Sequence, residues 1–174
     1  MCLRSRDKRY ALIQAFLAVS LLFVESGYCK SEPSRHLKLG NQLLSGGRFD
    51  EAIRQFDYAI RDNPQAAQPH FGKGQALENL RKRHQAMREF DIAIKLEPNQ
   101  PNRAQYYLTR ARLFEDMQDP RGVIADTTSA IKCNPRLVDA YCLRARANYM
   151  SSEIFATKDN TAAGLADLKK ALEI

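Results

Sequence analysis

Catalytic chemistry leaves few traces in this sequence. Its 174 residues include three histidines, four cysteines and no tryptophan. No glycine-rich phosphate loop, zinc-type cysteine spacing or nucleophile motif is present. His36, His70 and His84 are too widely spaced to form a local site. The clustered carboxylates Glu115, Asp116 and Asp119 belong to a helix end or turn, where solvated side chains are the expectation. The sequence therefore predicts no enzyme, no cofactor and no metal. A sustained basic stripe is also missing, although the net charge is +7. The densest run, Arg81-Lys82-Arg83, falls where two helices turn, and no aromatic stacking motif lies among the basic residues, so no nucleic-acid partner is predicted.

Long apolar runs are equally scarce. One occurs, the fourteen residues Ala11 to Val24, preceded by Arg4, Arg6, Lys8 and Arg9. A membrane-spanning helix needs about 20 apolar residues, so residues 1–29 read as a signal peptide. Cleavage is expected after Ser26 or Cys29, giving a secreted, periplasmic or ER-luminal protein. Left uncleaved, the segment is a membrane anchor. Lipid attachment at Cys29 is disfavoured because Tyr28 stands where a small residue is wanted. Cleavage removes four basic and two acidic residues, which lowers the net charge to +5.

What the chain does have is internal repetition. Pro64 and Pro98 are 34 residues apart, and the 34 residues ending at each share their landmarks. Gly40, Leu43, Ala52, Phe56, Ala59 and Pro64 recur as Gly74, Leu77, Ala86, Phe90, Ala93 and Pro98, with Lys73 in the place of Leu39. Apolar residues within each unit fall at helical spacing in two blocks. Gly46-Gly47 breaks the first unit between its blocks, and acidic Asp50 and Glu51 open the second helix, where they complement the helix dipole. Helices are predicted over Ala67 to Leu80 and Arg83 to Leu96. Pro98 to Pro135 then spans 37 residues, the extra three assigned to a turn at Asn99-Gln100-Pro101-Asn102. In the third unit Thr127 replaces the large aromatic. The fourth carries seven extra residues around Ser151 to Asn160, placed between its helices.

These landmarks resemble the tetratricopeptide repeat, whose pattern is an aromatic-x2-Leu-Gly-x2-Tyr element, Ala-x3-Phe-x2-Ala, then Pro. The units are residues 33–66, 67–100, 104–137 and a degenerate 138–174. The resemblance implies an all-α fold, a right-handed superhelical stack of about four helix-turn-helix units, with a concave inner surface that binds proteins or peptides. His36 and His70 take the large-residue slot and are expected to pack in or near the core. No polar capping helix is recognised after the fourth unit. Either a partner docks on that last repeat or the sequence is incomplete.

Slots are counted from Pro33, Ala67, Ala104 and Val138. Slots 4, 8 and 11 face the packing interior, so slots 2, 5, 9 and 12 are expected to turn toward the groove. Slot 5 gives an apolar column, Leu37, Phe71, Leu108 and Cys142. Slot 9 gives a polar column that becomes basic, Asn41, Gln75, Arg112 and Arg146. An extended segment with spaced apolar residues and an acidic end suits both columns. The competing expectation is that slot 5 only packs against neighbouring helices. The two-carboxylate clamp of chaperone-binding repeats is not predicted: its five slots hold Leu37, Asn41, Gly72, Gln105 and Thr109, of which only Asn41 matches.

The apolar segment followed by His36-Leu37-Lys38-Leu39-Gly40 is also similar to the start of luminal J-domain co-chaperones, which hold unfolded clients on apolar repeat surfaces. The J domain and its His-Pro-Asp motif are absent from this sequence. Cys133, in a core slot, and Cys142, on the groove side, are expected as free thiols, since a disulfide requires Cα atoms within about 7 Å. The function predicted is a non-catalytic interaction scaffold. A subunit assembling through its fourth repeat, and a client-holding co-chaperone, are the alternatives. Membrane contact is expected only if the N-terminal segment is uncleaved.

Overall fold

Proline and glycine punctuate the apolar periodicity, and the backbone breaks at those points. The computed structural model describes residues 35–155 and 158–174. The predicted signal segment, its cleavage site, Cys2 and Cys29 lie outside them. Among the described residues there are eight helices and no strand. They are α1 (Arg35–Ser45), α2 (Phe49–Asp62), α3 (Ala67–Asn79), α4 (Arg83–Leu96), α5 (Gln100–Asp116), α6 (Pro120–Cys133), α7 (Val138–Phe155) and α8 (Lys158–Leu172). Consecutive helices pair, and the pairs stack as the right-handed, all-α superhelix that the repeats predict. None of the described helices is long and apolar enough to cross a membrane.

The repeated glycines are explained by the repeated phenylalanines. Phe56 and Phe90 are fully buried. A Cβ on Gly40 would lie 2.6 Å from the Phe56 ring, one on Gly72 2.5 Å from the same ring, and one on Gly74 2.6 Å from Phe90. Each ring thus lies on a helix stripped of its side chain, and Phe56 is held between α1 and α3. That sandwich joins the first repeat to the second. The third repeat solves the problem differently. Thr127 is fully buried with its hydroxyl donating to the Val123 carbonyl at 2.6 Å. The missing ring is supplied from the other helix, because Phe114 of α5 lies 2.5 Å from where a Gly122 Cβ would stand.

The turns inside the first three repeats are alike. Gly47, Arg81 and Gln118 all take positive φ, at 74°, 60° and 58°. The next residue in each case donates its N–H back to the first helix at 2.9 Å: Arg48 to Leu43, Lys82 to Leu77, Asp119 to Phe114. This is a helix C-terminus closed through a left-handed residue. Asp119 then caps α6, accepting from the N–H groups of Arg121 and Gly122 at 3.1 Å, with Pro120 at a first-turn position that needs no donor.

Two length differences fall elsewhere than expected. Residues 100–102 are not a turn but the first residues of α5, which runs for 17 residues against 13 in α3. Three residues add nearly one helical turn, and proline is tolerated there. Likewise Ser151–Phe155 continues α7 and Lys158–Asn160 begins α8, so the seven-residue excess mostly lengthens helices rather than a loop.

Slot 7 carries an ionic ladder from repeat to repeat. Lys73 Nζ reaches Glu89 of its own repeat at 2.8 Å and Asp57 of the preceding one at 2.9 Å. Arg110 grips Asp126 with two bonds of 2.7 Å and also pairs with Asp91. Arg144 holds Asp167 at 2.8 and 2.6 Å and donates to Thr128 at 3.1 Å. Each cation joins slot 23 of its own repeat to slot 25 of the repeat before. Burial alone would raise Glu89, but hydrogen bonds from His70 and Lys73 outweigh it and hold the carboxyl below its ordinary range. His70 is buried with Nδ1 2.8 Å from Glu89, and His36 makes the equivalent 2.8 Å contact with Gln55. Both histidines are thus packed inside their helix pairs.

Candidate functional site

A concavity of about 380 Å³ opens across the first three repeats. Its floor is apolar. Leu37 of α1 is buried, and Phe71 of α3 stacks on Tyr106 of α5 with ring centroids 4.1 Å apart at 17°. Phe71 also touches Phe90 at 5.6 Å, which fixes the ring from beneath. The first helices approach each other directly between α1 and α3 and between α5 and α7, whereas α3 and α5 stand further apart. The aromatic stack fills that wider junction.

The rim is built of carboxamides. Asn41 from α1, Gln68 and Gln75 from α3, and Asn102 and Gln105 from α5 line the same concavity, and none of the described residues that line it is charged. These five groups make no hydrogen bond to the described residues. Each offers an acceptor oxygen and two N–H donors. Burial and the neighbouring Glu97 carboxylate push the Tyr106 hydroxyl well above the ordinary phenol range.

The residues expected in the groove separate into three groups. Leu37, Asn41, Phe71 and Gln75 meet in this concavity. Leu108 does not reach it. Ala140, Leu143 and Ala147 of α7 cover it, leaving it 1% exposed in a core cluster with Ala111 and Val123. Arg112 and Arg146 lie further along and are engaged: Arg112 donates to Asp139 at 3.0 Å, and Arg146 reaches Glu115 at 2.5 Å. Carboxylates of adjoining repeats therefore offset the basic end of that column. Cys142 and Arg146 line a separate depression between α7 and α8.

Four of the five clamp slots, Leu37, Asn41, Gly72 and Gln105, do converge in the concavity, but without a cation. The residues singled out for the groove do not include Gln68, Asn102 and Gln105, although slot 2 is expected to face it. Two of them, Gln68 and Gln105, stand in slot 2, which helix geometry turns toward the groove. Asn102 comes from the extra turn of α5, which has no counterpart in the other units. Cys133 and Cys142 are both free thiols. Among the described residues no cluster of histidine, cysteine and carboxylates is arranged to hold a metal.

Helix pairs of this length, closed by glycine-to-phenylalanine contacts and leaving one concave face, define a tetratricopeptide-repeat stack. The tetratricopeptide repeat family profile matches residues 37–101. The chain is 28% identical over 130 residues to human tetratricopeptide repeat protein 13, an alignment covering 71% of this chain and 14% of that protein. It is 32% identical over 107 residues to the mouse mitochondrial import receptor subunit TOM70, covering 60% of this chain and 17% of that one. This chain thus spans well under a fifth of either relative. Among solved structures, MamA superposes with a TM-score of 0.68 at 22% identity, over 83% of this chain and 80% of MamA. These likenesses support tetratricopeptide repeats in this chain and an all-α repeat stack as its fold.

Proposed function

We propose that the concave face of the first three repeats binds an extended peptide segment of a partner protein by its main chain. The observation that carries this reading is the ring of five carboxamides, unengaged by the described residues, none of which brings a charge to the lining of the concavity. A carboxamide pairs at once with the N–H and the C=O that a single extended residue turns to the same side, whatever that residue's side chain. The apolar floor of Leu37, Phe71 and Tyr106 then accepts one side chain between main-chain contacts. Among the described lining residues a charged terminus finds no partner, and the polar rim favours main-chain recognition over the apolar holding of unfolded clients. The relative named as an import receptor subunit is consistent with a receptor-like role for such a stack. The basic and apolar N-terminal segment supports export, so the partner is expected outside the cytoplasm. The intact mass of protein recovered there, shortened by 26 or 29 residues, tests that part.

The groove is tested with a tight binder selected from random twelve-residue peptides. N-methylation at single positions should weaken it up to about tenfold, the worth of one net hydrogen bond. Gln75→Ala/Gln105→Ala should remove that sensitivity while leaving the far-ultraviolet circular dichroism unchanged. Affinity should vary little between 50 and 500 mM salt. Steep salt dependence, or binding indifferent to the double substitution, would refute main-chain recognition in this groove.

A further inference from the structure

Along the sequence the basic residues are scattered, but folding sorts them from the carboxylates. On the second helices the acids at slots 23 and 25 are drawn into the ladder, Glu89 and Asp57 by Lys73, Asp126 and Asp91 by Arg110. The cations stand instead at slots 22 and 29: Arg54 and Arg61 in α2, Arg88 and Lys95 in α4, and Lys132 at slot 29 of α6. All five are exposed, and none forms a salt bridge with the described residues. Slot 26 lies beside them and is Tyr58 in α2 and Ile92 in α4, 45% and 38% exposed. Helix geometry sets slots 22, 26 and 29 within about 60° of arc and about 10 Å of helix. Each of the first two repeats therefore turns a cation, an apolar side chain and a second cation away from the core. Arg81, Lys82 and His84 add three exposed basic side chains where α4 begins. The carboxylates left exposed on α2, α4 and α6 are Asp50 and Asp62, both on α2.

We infer that this outer face of α2 and α4 docks on the surface of an anionic lipid bilayer. Cations alone would suit any polyanion, and slot 26 decides between them. A nucleic-acid backbone is positioned by hydrogen-bonding side chains beside the cations, yet slots 22, 26 and 29 of the first two repeats hold no asparagine, glutamine, serine or threonine. A bilayer interface uses what is there. Tyrosine settles at the headgroup level, an aliphatic side chain reaches the acyl boundary, and arginine and lysine lay their stems along apolar surface while their charges meet phosphate. Arg61 already lies over the Tyr58 ring, 5.5 Å from its centroid. Each cation held near an anionic surface strengthens binding about fivefold. Such docking is peripheral and requires no spanning helix. The carboxamide concavity is built on the first helices, so a peptide and a membrane can be held at once, and this inference stands independently of the function proposed for the groove.

The chain has no tryptophan, so one introduced by substitution reports only its own surroundings. Ile92→Trp on the outer face and Gln75→Trp in the concavity are made in separate full-length proteins. Each is mixed with vesicles of brominated phosphatidylcholine, either alone or with one part in four of phosphatidylserine. With phosphatidylserine the Ile92→Trp emission should shift to shorter wavelength and be quenched, whereas Gln75→Trp should not respond. Without it neither should respond, and molar salt should abolish the response by screening charges beyond about 3 Å. Adding Arg54→Gln/Arg61→Gln/Arg88→Gln/Lys95→Gln to the Ile92→Trp protein should raise the lipid concentration for half quenching about a hundredfold or more, with the far-ultraviolet circular dichroism unchanged. All these proteins share the N-terminal segment, so the contrast between the two positions separates docking through this face from capture by that segment. Quenching at both positions, at neither, or undiminished by the four substitutions would overturn the inference. So would a DNA duplex that binds more tightly than the vesicles.

Discussion

Replacing Gly72 by alanine should destabilise the stack, although alanine is the better helix former. In the interior of α3 the exchange gains about 1 kcal/mol of helix propensity. Against that, the new Cβ would stand 2.5 Å from Phe56 Cζ and 2.7 Å from Cε1. The ring cannot retreat, since a Cβ position on Gly40 is already only 2.6 Å from Cε1 on its other side, and Phe56 has no exposed surface through which to swing. Overpacking of this kind costs about 1–3 kcal/mol, so the net loss should be about 1 kcal/mol. The same substitution in a Phe56→Leu background should gain stability, because the shorter side chain vacates the ring position. Urea denaturation of the wild type, both single variants and the double variant gives the cycle, with a coupling of about 2 kcal/mol expected. Were Gly72→Ala to cost the same in both backgrounds, the ring sandwich would not be what requires glycine there.

Two further outcomes follow from the turns and the ladder. Arg81→Gly and Gln118→Gly should each stabilise by about 0.5–1 kcal/mol in thermal or urea unfolding, since a left-handed conformation costs an L-residue about 1–2 kcal/mol and glycine returns part of that as chain entropy. Glu89, held below its ordinary range, contributes stability that is fully present above the unfolded carboxylate pKa of about 4.3 and is lost as pH falls through the lower folded value. Glu89→Gln should therefore lower stability by about 2 kcal/mol at pH 7 and flatten the decline below pH 4.5. An unchanged acid slope would place that linkage in other carboxylates.

The fold was legible because its main constraint is local and repeated. A glycine in slot 8 and a phenylalanine in slot 24 meet within one helix pair, so the spacing alone announces them. Thr127 made the third unit look loose, yet its packing is as close as the others. Phe114 and Gly122 exchange the roles of ring and gap across the same pair of helices, and both residues are plain in the sequence once either helix is allowed to supply the ring. The two added lengths were harder to place. Whether extra residues form a loop or one more helical turn depends on what the longer helix packs against, and the linker proline pointed to a turn although a first helical turn tolerates it equally.

The site was legible only where it depends on one helix. Helix geometry brings Leu37, Asn41, Phe71 and Gln75 to one face, and they share one concavity. Leu108 has the same geometry but is covered by α7, a partner 32 to 39 residues away whose small side chains permit close approach. Arg112 and Arg146 looked free because Asp139 and Glu115 are 27 and 31 residues distant and belong to adjoining repeats. Those pairings alter the chemistry of the surface. With the slot-7 cations held in the ladder and the slot-9 arginines matched by carboxylates, the N-terminal concavity is left neutral and rich in amides. On the function proposed above, such a surface would show little electrostatic preference among peptide side chains, and its discrimination would come from main-chain geometry and the width of the floor between Leu37 and Tyr106.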